Sequence, residues 1–147
     1  MSKNSHNPKK STPKQLSILI FIGVLALVGA VVFLPSVFAQ RNPTIQVISP
    51  DTYQTDFLQP AQSHFLLDVR TLSEFASGHI SGATNINVDD LANRLSQVPK
   101  DVPVVIYCRS GNRSAIAANI LAEAGYTQIY DLGGILEWQR QSLPIEQ

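Results

Sequence analysis

The chain holds one cysteine, Cys108, in the run Cys108-Arg109-Ser110-Gly111-Asn112-Arg113. That run follows the β-branched stretch Val102 to Tyr107 and precedes a helix-forming stretch that opens near Ser114. A short segment turning from strand to helix aims several backbone N–H groups inward, and the helix N-terminus adds partial positive charge, so the hollow favours an anion. Arg109 and Arg113 add two full charges, and Gly111 is free to take a positive φ at the crown. Such surroundings favour thiolate over thiol and make the sulfur a nucleophile near neutral pH. A lone cysteine is more often a small buried hydrophobe, but packing requires neither two arginines nor a glycine loop. One cysteine also excludes an internal disulfide and a multi-cysteine zinc site. The glycine-rich pieces match neither G-x-G-x-x-G nor a P-loop, so the sequence calls for no nucleotide.

Asp68 and Arg70 close an apolar run and are expected to support the site, Asp68 by capping backbone or pairing an arginine near the loop. His79 stands in a Gly-His-Ile turn with no metal-spaced partner, and His64 carries no functional signal.

The elements that must position Cys108 alternate. Thr44 to Ile48 and Phe65 to Val69 suit buried strands, with a weakly helical stretch from Asp51 to Leu58 between them that Ser49 would cap. Thr71 with Glu74 three residues on is a capping box, which predicts a short helix from Leu72 to Ser77 stopped at Gly78. Ala83 to Ile86 reads as a further strand. Leu91, Leu95 and Val98 predict a helix opening at Val88 or Asp89 and closed by Pro99. Val102 to Tyr107 is the strongest strand, and Ser114 to Ala124 a strong helix with Ile116, Ala117, Ile120, Leu121 and Ala124 on its apolar face. Gln128 to Leu132 is another strand, followed by a Gly133-Gly134 turn and a last helix with Leu136 and Trp138. Apolar strands separated by helices imply an α/β domain whose parallel sheet is covered on both faces, with sites beyond the carboxyl ends of its strands.

The 147 residues carry no net formal charge at pH 7, with 44% hydrophobic and 15% charged residues. That composition excludes a disordered chain and a polybasic nucleic-acid binder. The neutrality hides a division, +4 over residues 1–40 and −4 over residues 41–147. Residues 1–15 are polar and basic, and Leu16 to Leu34 is apolar except for Ser17, Gly23 and Gly29. At roughly 1.5 Å per residue this run nearly crosses a ~30 Å hydrocarbon core. The lysines precede it, so the N-terminus is expected in the cytoplasm and the remainder across the membrane. Residues 35–43 form a linker or cleavage region: either the segment stays as an anchor, or a peptidase cuts after Ala39 and releases the rest as a secreted or periplasmic protein. The remaining residues, 44–147, are of single-domain size.

Leu66-Leu67-Asp68-Val69-Arg70, Glu74-Phe75, Gly78-His79-Ile80-Ser81-Gly82-Ala83 with Asn85-Ile86, the Cys108–Arg113 loop, and Gly133-Gly134 with Trp138 together resemble a single-domain rhodanese. The resemblance spans residues 45–143. It implies a three-layer α/β fold with a central parallel five-stranded sheet, and sulfur transfer from a donor such as thiosulfate to cyanide or a thiol through a cysteine persulfide, chemistry that needs no metal or organic cofactor. Cys108 would be catalytic, with Arg109, Ser110, Gly111, Asn112 and Arg113 binding substrate. The six-residue loop is that of the sulfurtransferases; the related phosphatase loops are one residue longer. Alternatives are a persulfide relay serving a membrane complex and an anion-binding or phosphatase-like module.

Overall fold

The computed structural model describes residues 42–147. The expected basic N-terminus, the apolar run and the linker up to Arg41 lie outside the described residues. Among the described residues, no helix is long and apolar enough to cross a membrane.

The strongest β sequence becomes the centre of the sheet. Strand β4 (Val104–Cys108) is buried at all its residues. It is flanked by β2 (Phe65–Asp68) and β5 (Gln128–Gly134), and the edges are β1 (Thr44–Val47) beside β5 and β3 (Thr84–Asn85) beside β2. The order β1-β5-β4-β2-β3 is parallel at every pairing. Parallel strands need covered crossovers, and the period-2 alternation of side chains divides the core in two. Val104, Ile106 and Cys108 face a core with Ala117, Ala118 and Leu121. Val105 and Tyr107 face the other, with Tyr53, Ile135 and Trp138. The first core is closed by α3 (Val88–Leu91) and α4 (Asn112–Glu123), the second by α1 (Pro50–Tyr53) and α5 (Ile135–Arg140).

Local signals set most boundaries. Ser49 caps α1 by accepting from the Thr52 N–H at 3.1 Å, and a π-helical turn continues it from Gln54 to Leu58. The capping box holds α2 (Leu72–Ala76) as expected, with Thr71 and Glu74 bonding reciprocally.

Five expectations need correction. Strand β1 is exposed along its whole length, with Val47 81% exposed, because it is an edge strand bonded on one side only. The helix expected to reach Val98 is two pieces, α3 and a 3-10 turn at Leu95–Gln97. Asn87 caps the first piece, and Asn93 and Arg94 leave the α pattern through i→i+3 bonds to Asp90 and Leu91. Apolar residues three and four apart are met equally well by two short turns. Helix α4 starts two residues early, at Asn112, and buries Ser114, Ala117, Ala118 and Leu121, whereas Ile116 is exposed. The strongest strand begins at Val104 and includes Cys108. Gly133 and Gly134 form no turn: they are the last residues of β5, paired with Tyr107 and Cys108 after a bulge at Ile106/Tyr107.

Candidate active site

The carboxyl ends of β2, β4 and β5 bring Asp68, Cys108 and Gly134 together at one edge of the sheet. Cys108 ends β4 and is buried, only 1% exposed as a residue, so the sulfur's surroundings are set by the loop. Gly111 takes φ +105° there, a conformation that L side chains rarely adopt. This turns its N–H back onto Cys108 Sγ at 3.0 Å. Helix α4 begins at the next residue, so its N-terminal dipole favours charge in the same hollow.

Two further contacts fix the loop. Ser114 is fully buried, and its hydroxyl lies 2.8 Å from the Gly111 carbonyl and 3.2 Å from that of Gly133, tying loop to β5. Gly134 lies under the loop so closely that a Cβ there would stand 2.5 Å from the Arg109 carbonyl oxygen. The bulge makes this approach: the Asp131 carboxylate accepts the Gly133 N–H at 2.9 Å, and Gly133 takes φ +76°. Gly134 and Ser114 were not singled out in the sequence as loop supports; a Gly-Gly pair between an apolar strand and a helix was the available signal for the first, and none marked the second.

The arginines divide. Arg113 directs its two terminal nitrogens at the Glu74 carboxylate, at 2.7 and 2.8 Å. Glu74 thus serves twice, capping α2 through Thr71 and holding Arg113. The Arg113 fork, with smaller help from the Thr71 bonds, lowers the Glu74 carboxyl to about 2, and the pairing raises the guanidinium further above its ordinary value. Sequence reading gave Glu74 its capping role but not this one, because the second partner is 39 residues away.

Asp68 and Arg70 form a second, buried pair. Arg70 Nε lies 3.0 and 2.9 Å from the two Asp68 oxygens, and the Arg70 backbone N–H adds a bond of 2.8 Å. The guanidinium also donates to the Gly78 carbonyl at 2.8 Å and lies 5.6 Å from the Tyr107 ring centroid. Burial, with Asp68 beside it, pushes the Tyr107 phenol well above its ordinary range, so it stays protonated and accepts the Ile80 N–H. Asp68 thus pairs an arginine and also accepts a backbone N–H.

Arg109, Ser110 and Asn112 are exposed, and among the described residues the Arg109 guanidinium has no ion pair or hydrogen bond. Arg109 instead lines a cavity of about 290 Å³ with Arg70, Glu74, Ser77, Leu136 and Gln139. Among the described residues no group of three or more His, Cys, Asp or Glu could hold a metal ion. His79 stacks on Phe75 with centroids 3.8 Å apart, and His64 bonds Tyr53 and the Gln62 carbonyl at 2.7 Å each. The arrangement can present a sulfur nucleophile to an anionic partner and stabilise negative charge on what it carries.

The rhodanese-like domain profile matches residues 52–141. A sulfurtransferase of Allochromatium vinosum is 43% identical over 89 residues, 60% of this chain and 83% of that protein. The thiosulfate sulfurtransferase GlpE of Shewanella oneidensis is 39% identical over 79 residues, 53% of this chain and 78% of that one. Among solved structures, a rhodanese-related protein from Thermoplasma volcanium superposes with a TM-score of 0.61 at 26% identity, covering 69% of this chain and 97% of that one.

Proposed function

Since the chain belongs to the rhodanese-like domain family, we propose that it moves a sulfane sulfur from a donor such as thiosulfate to a thiol or cyanide through a persulfide on Cys108. The Cys108 thiolate attacks the outer sulfur of thiosulfate, the S–S bond breaks, and sulfite leaves with the electron pair. The acceptor then attacks the outer sulfur of Cys–S–S⁻ and the thiolate returns, so the kinetics are ping-pong. The observation that carries this reading is the Gly111 N–H at 3.0 Å from Sγ beneath the start of α4. Ser110, Gly111 and Asn112 contribute the loop that would cradle the outer sulfur. The test is intact mass after thiosulfate: one added sulfur atom is expected, absent in Cys108→Ser and removed by cyanide. An adduct that survives in Cys108→Ser would move the chemistry elsewhere. The same reading covers a persulfide relay to a protein partner, which has the same first step.

We infer further that residues 16–34 hold the protein at a membrane, with the catalytic domain on the far side, because four lysines and no acid precede the domain. Protease protection that leaves residues 44–147 in the cytoplasm would overturn this.

A further inference from the structure

Far from the thiol, strand β1 presents a bare sheet edge. A parallel strand bonds its neighbour through alternate residues, and here Thr44 and Ile48 donate to the Thr127 and Asp131 carbonyls at 3.3 and 2.9 Å. The even-numbered residues therefore turn their backbone groups toward β5, and Ile45 and Val47 turn theirs outward. Among the described residues nothing bonds those outward groups. The Ile45 and Val47 side chains share one face and are 39% and 81% exposed. Sheet edges are commonly guarded by a charge or a proline within the strand. No charged residue occurs between Asn42 and Pro50, and Pro43 and Pro50 both stand outside the strand. We propose that β1 pairs edge to edge, antiparallel, with β1 of a second copy of this chain, joining two sheets about a two-fold axis at Gln46.

The register follows from which groups are free. Facing residues of an antiparallel pair that both point outward exchange two bonds, so Ile45 faces Val47 of the second copy and Val47 faces its Ile45. Gln46 then faces Gln46 of the second copy in the closer, non-bonded position, with Cα atoms about 4.5 Å apart. Two Ile–Val contacts lie on one face, a β-branched match that strands favour, and a Gln–Gln amide pair lies on the other. Centring on Ile45 instead would set Val47 against Pro43, which has no N–H. Centring on Val47 would set Ile45 against Ser49, which lies beyond the strand and caps α1.

A second copy is the occupant because the 41 residues outside the described chain lead directly into this edge. Held in one bilayer by the apolar run at 16–34, copies meet at a raised effective concentration, whereas a four-residue edge is too short to hold freely diffusing chains together. That tether rests on the membrane reading; the register does not. The contact uses up the same edge in both copies, and the opposite edge, β3, is only two residues long, so assembly stops at two. All strands of a sheet run with β1, so the antiparallel join turns the two Cys108 loops to opposite ends and covers neither.

Two measurements on the full-length chain in lipid bilayers test it. In a Cys108→Ser background, Gln46→Cys should form disulfide dimers under copper–phenanthroline oxidation. Ile45→Cys should form them at least about tenfold more slowly, because the two copies of residue 45 are diagonal, roughly 7–8 Å apart, and outside disulfide reach. Adding Val47→Lys to Gln46→Cys sets a charge on the edge and should slow the reaction by about tenfold. Val47→Lys with Cys108 in place should load sulfur from thiosulfate as the wild type does, which checks its fold. Without any substitution, amide exchange at Ile45 and Val47 should slow by about tenfold when a nanodisc holds two copies rather than one, an edge closed roughly nine-tenths of the time. Exchange at Gln46, already bonded inward, should not change. Equal crosslinking at positions 45 and 46 means that tethered copies collide without pairing, and overturns the proposal. Exchange at Ile45 and Val47 that is already slow with one copy gives the edge to residues 1–41 of the same chain, and also overturns it. A chain that does not float with lipid vesicles overturns the membrane reading alone. Crosslinking at Gln46 that rises with concentration in solution and exceeds that at Ile45 then still supports the pairing, and equal crosslinking still overturns it.

Discussion

Two arginine–carboxylate pairs flank the loop, and they differ in where the water is. Asp68 and Arg70 have side-chain exposures of 0% and 6%, whereas Glu74 and Arg113 stand at 28% each. In the buried pair both ions have lost their hydration, and the loss is offset by a full set of short bonds, with the Arg70 N–H and the Gly78 carbonyl occupying further lone pairs and protons. In the outer pair solvent still screens both partners, so the net energy is small while the geometry remains. The same chemistry therefore makes a fixed pin of the buried pair and an adjustable clamp of the exposed one. The pin reaches the turn at Gly78, and through it the C-terminal tail, since the neighbouring His79 exchanges backbone bonds of 2.8 Å with Glu146.

The comparison breaks most visibly at Asp68. Asp68→Ala leaves Arg70 charged and unpaired in the core, which should cost about 3–5 kcal/mol of stability. Replacing both partners together, Asp68→Leu with Arg70→Met, should cost much less than the single change, because no buried charge is left behind. Urea unfolding of the three proteins measures this. A single variant that loses under about 1 kcal/mol would mean that the pair is as solvated as the outer one.

The outer pair should give way more gently. Glu74→Ala loses the capping-box carboxylate and the ion pair together, for about 1–2 kcal/mol. Glu74→Gln keeps the hydrogen-bonding shape and should lose about 0.5 kcal/mol, within the range of exposed pairs. If Glu74→Ala were as damaging as Asp68→Ala, the distinction between pin and clamp would fail.

Much of this arrangement was legible in the sequence, for reasons that differ by residue. The strand Val104–Cys108, the loop and the start of α4 were readable because their signals are local: a β-branched run, a glycine needing positive φ, and a helix-forming stretch beyond it. The cap at Thr71 and Glu74 was readable because its partners are three residues apart. Features that depend on distant pairing were not. The Glu74–Arg113 clamp spans 39 residues, and nothing in either neighbourhood selects the other. The same holds for Gly134, whose closeness to Arg109 follows from the β4–β5 register and its bulge. Periodicity also misled where it is degenerate, as in the region from Leu91 to Val98, where apolar spacing fits one helix or two turns.

The smallest expected effect is also the one that separates the charge of the clamp from its shape. The Arg113 fork holds the Glu74 carboxyl at about 2, against an ordinary value of 4.5. A carboxylate whose folded value is depressed contributes stability that is fully present above the unfolded value and is lost as pH falls through the folded one. The contribution of Glu74 should therefore be whole at pH 7, begin to fade near pH 4.5, and be gone below about pH 2. Solvent screening limits it to about 1 kcal/mol or less. The difference in unfolding free energy between wild type and Glu74→Gln isolates it, since other groups common to both proteins cancel. That difference should favour the wild type at neutral pH and shrink across this acid window. It should also shrink at pH 7 in 1 M salt, where the screening length is about 3 Å. A difference that stays constant from pH 7 to pH 2 would mean that Glu74 acts through its shape alone, and the clamp would then carry no charge to cancel.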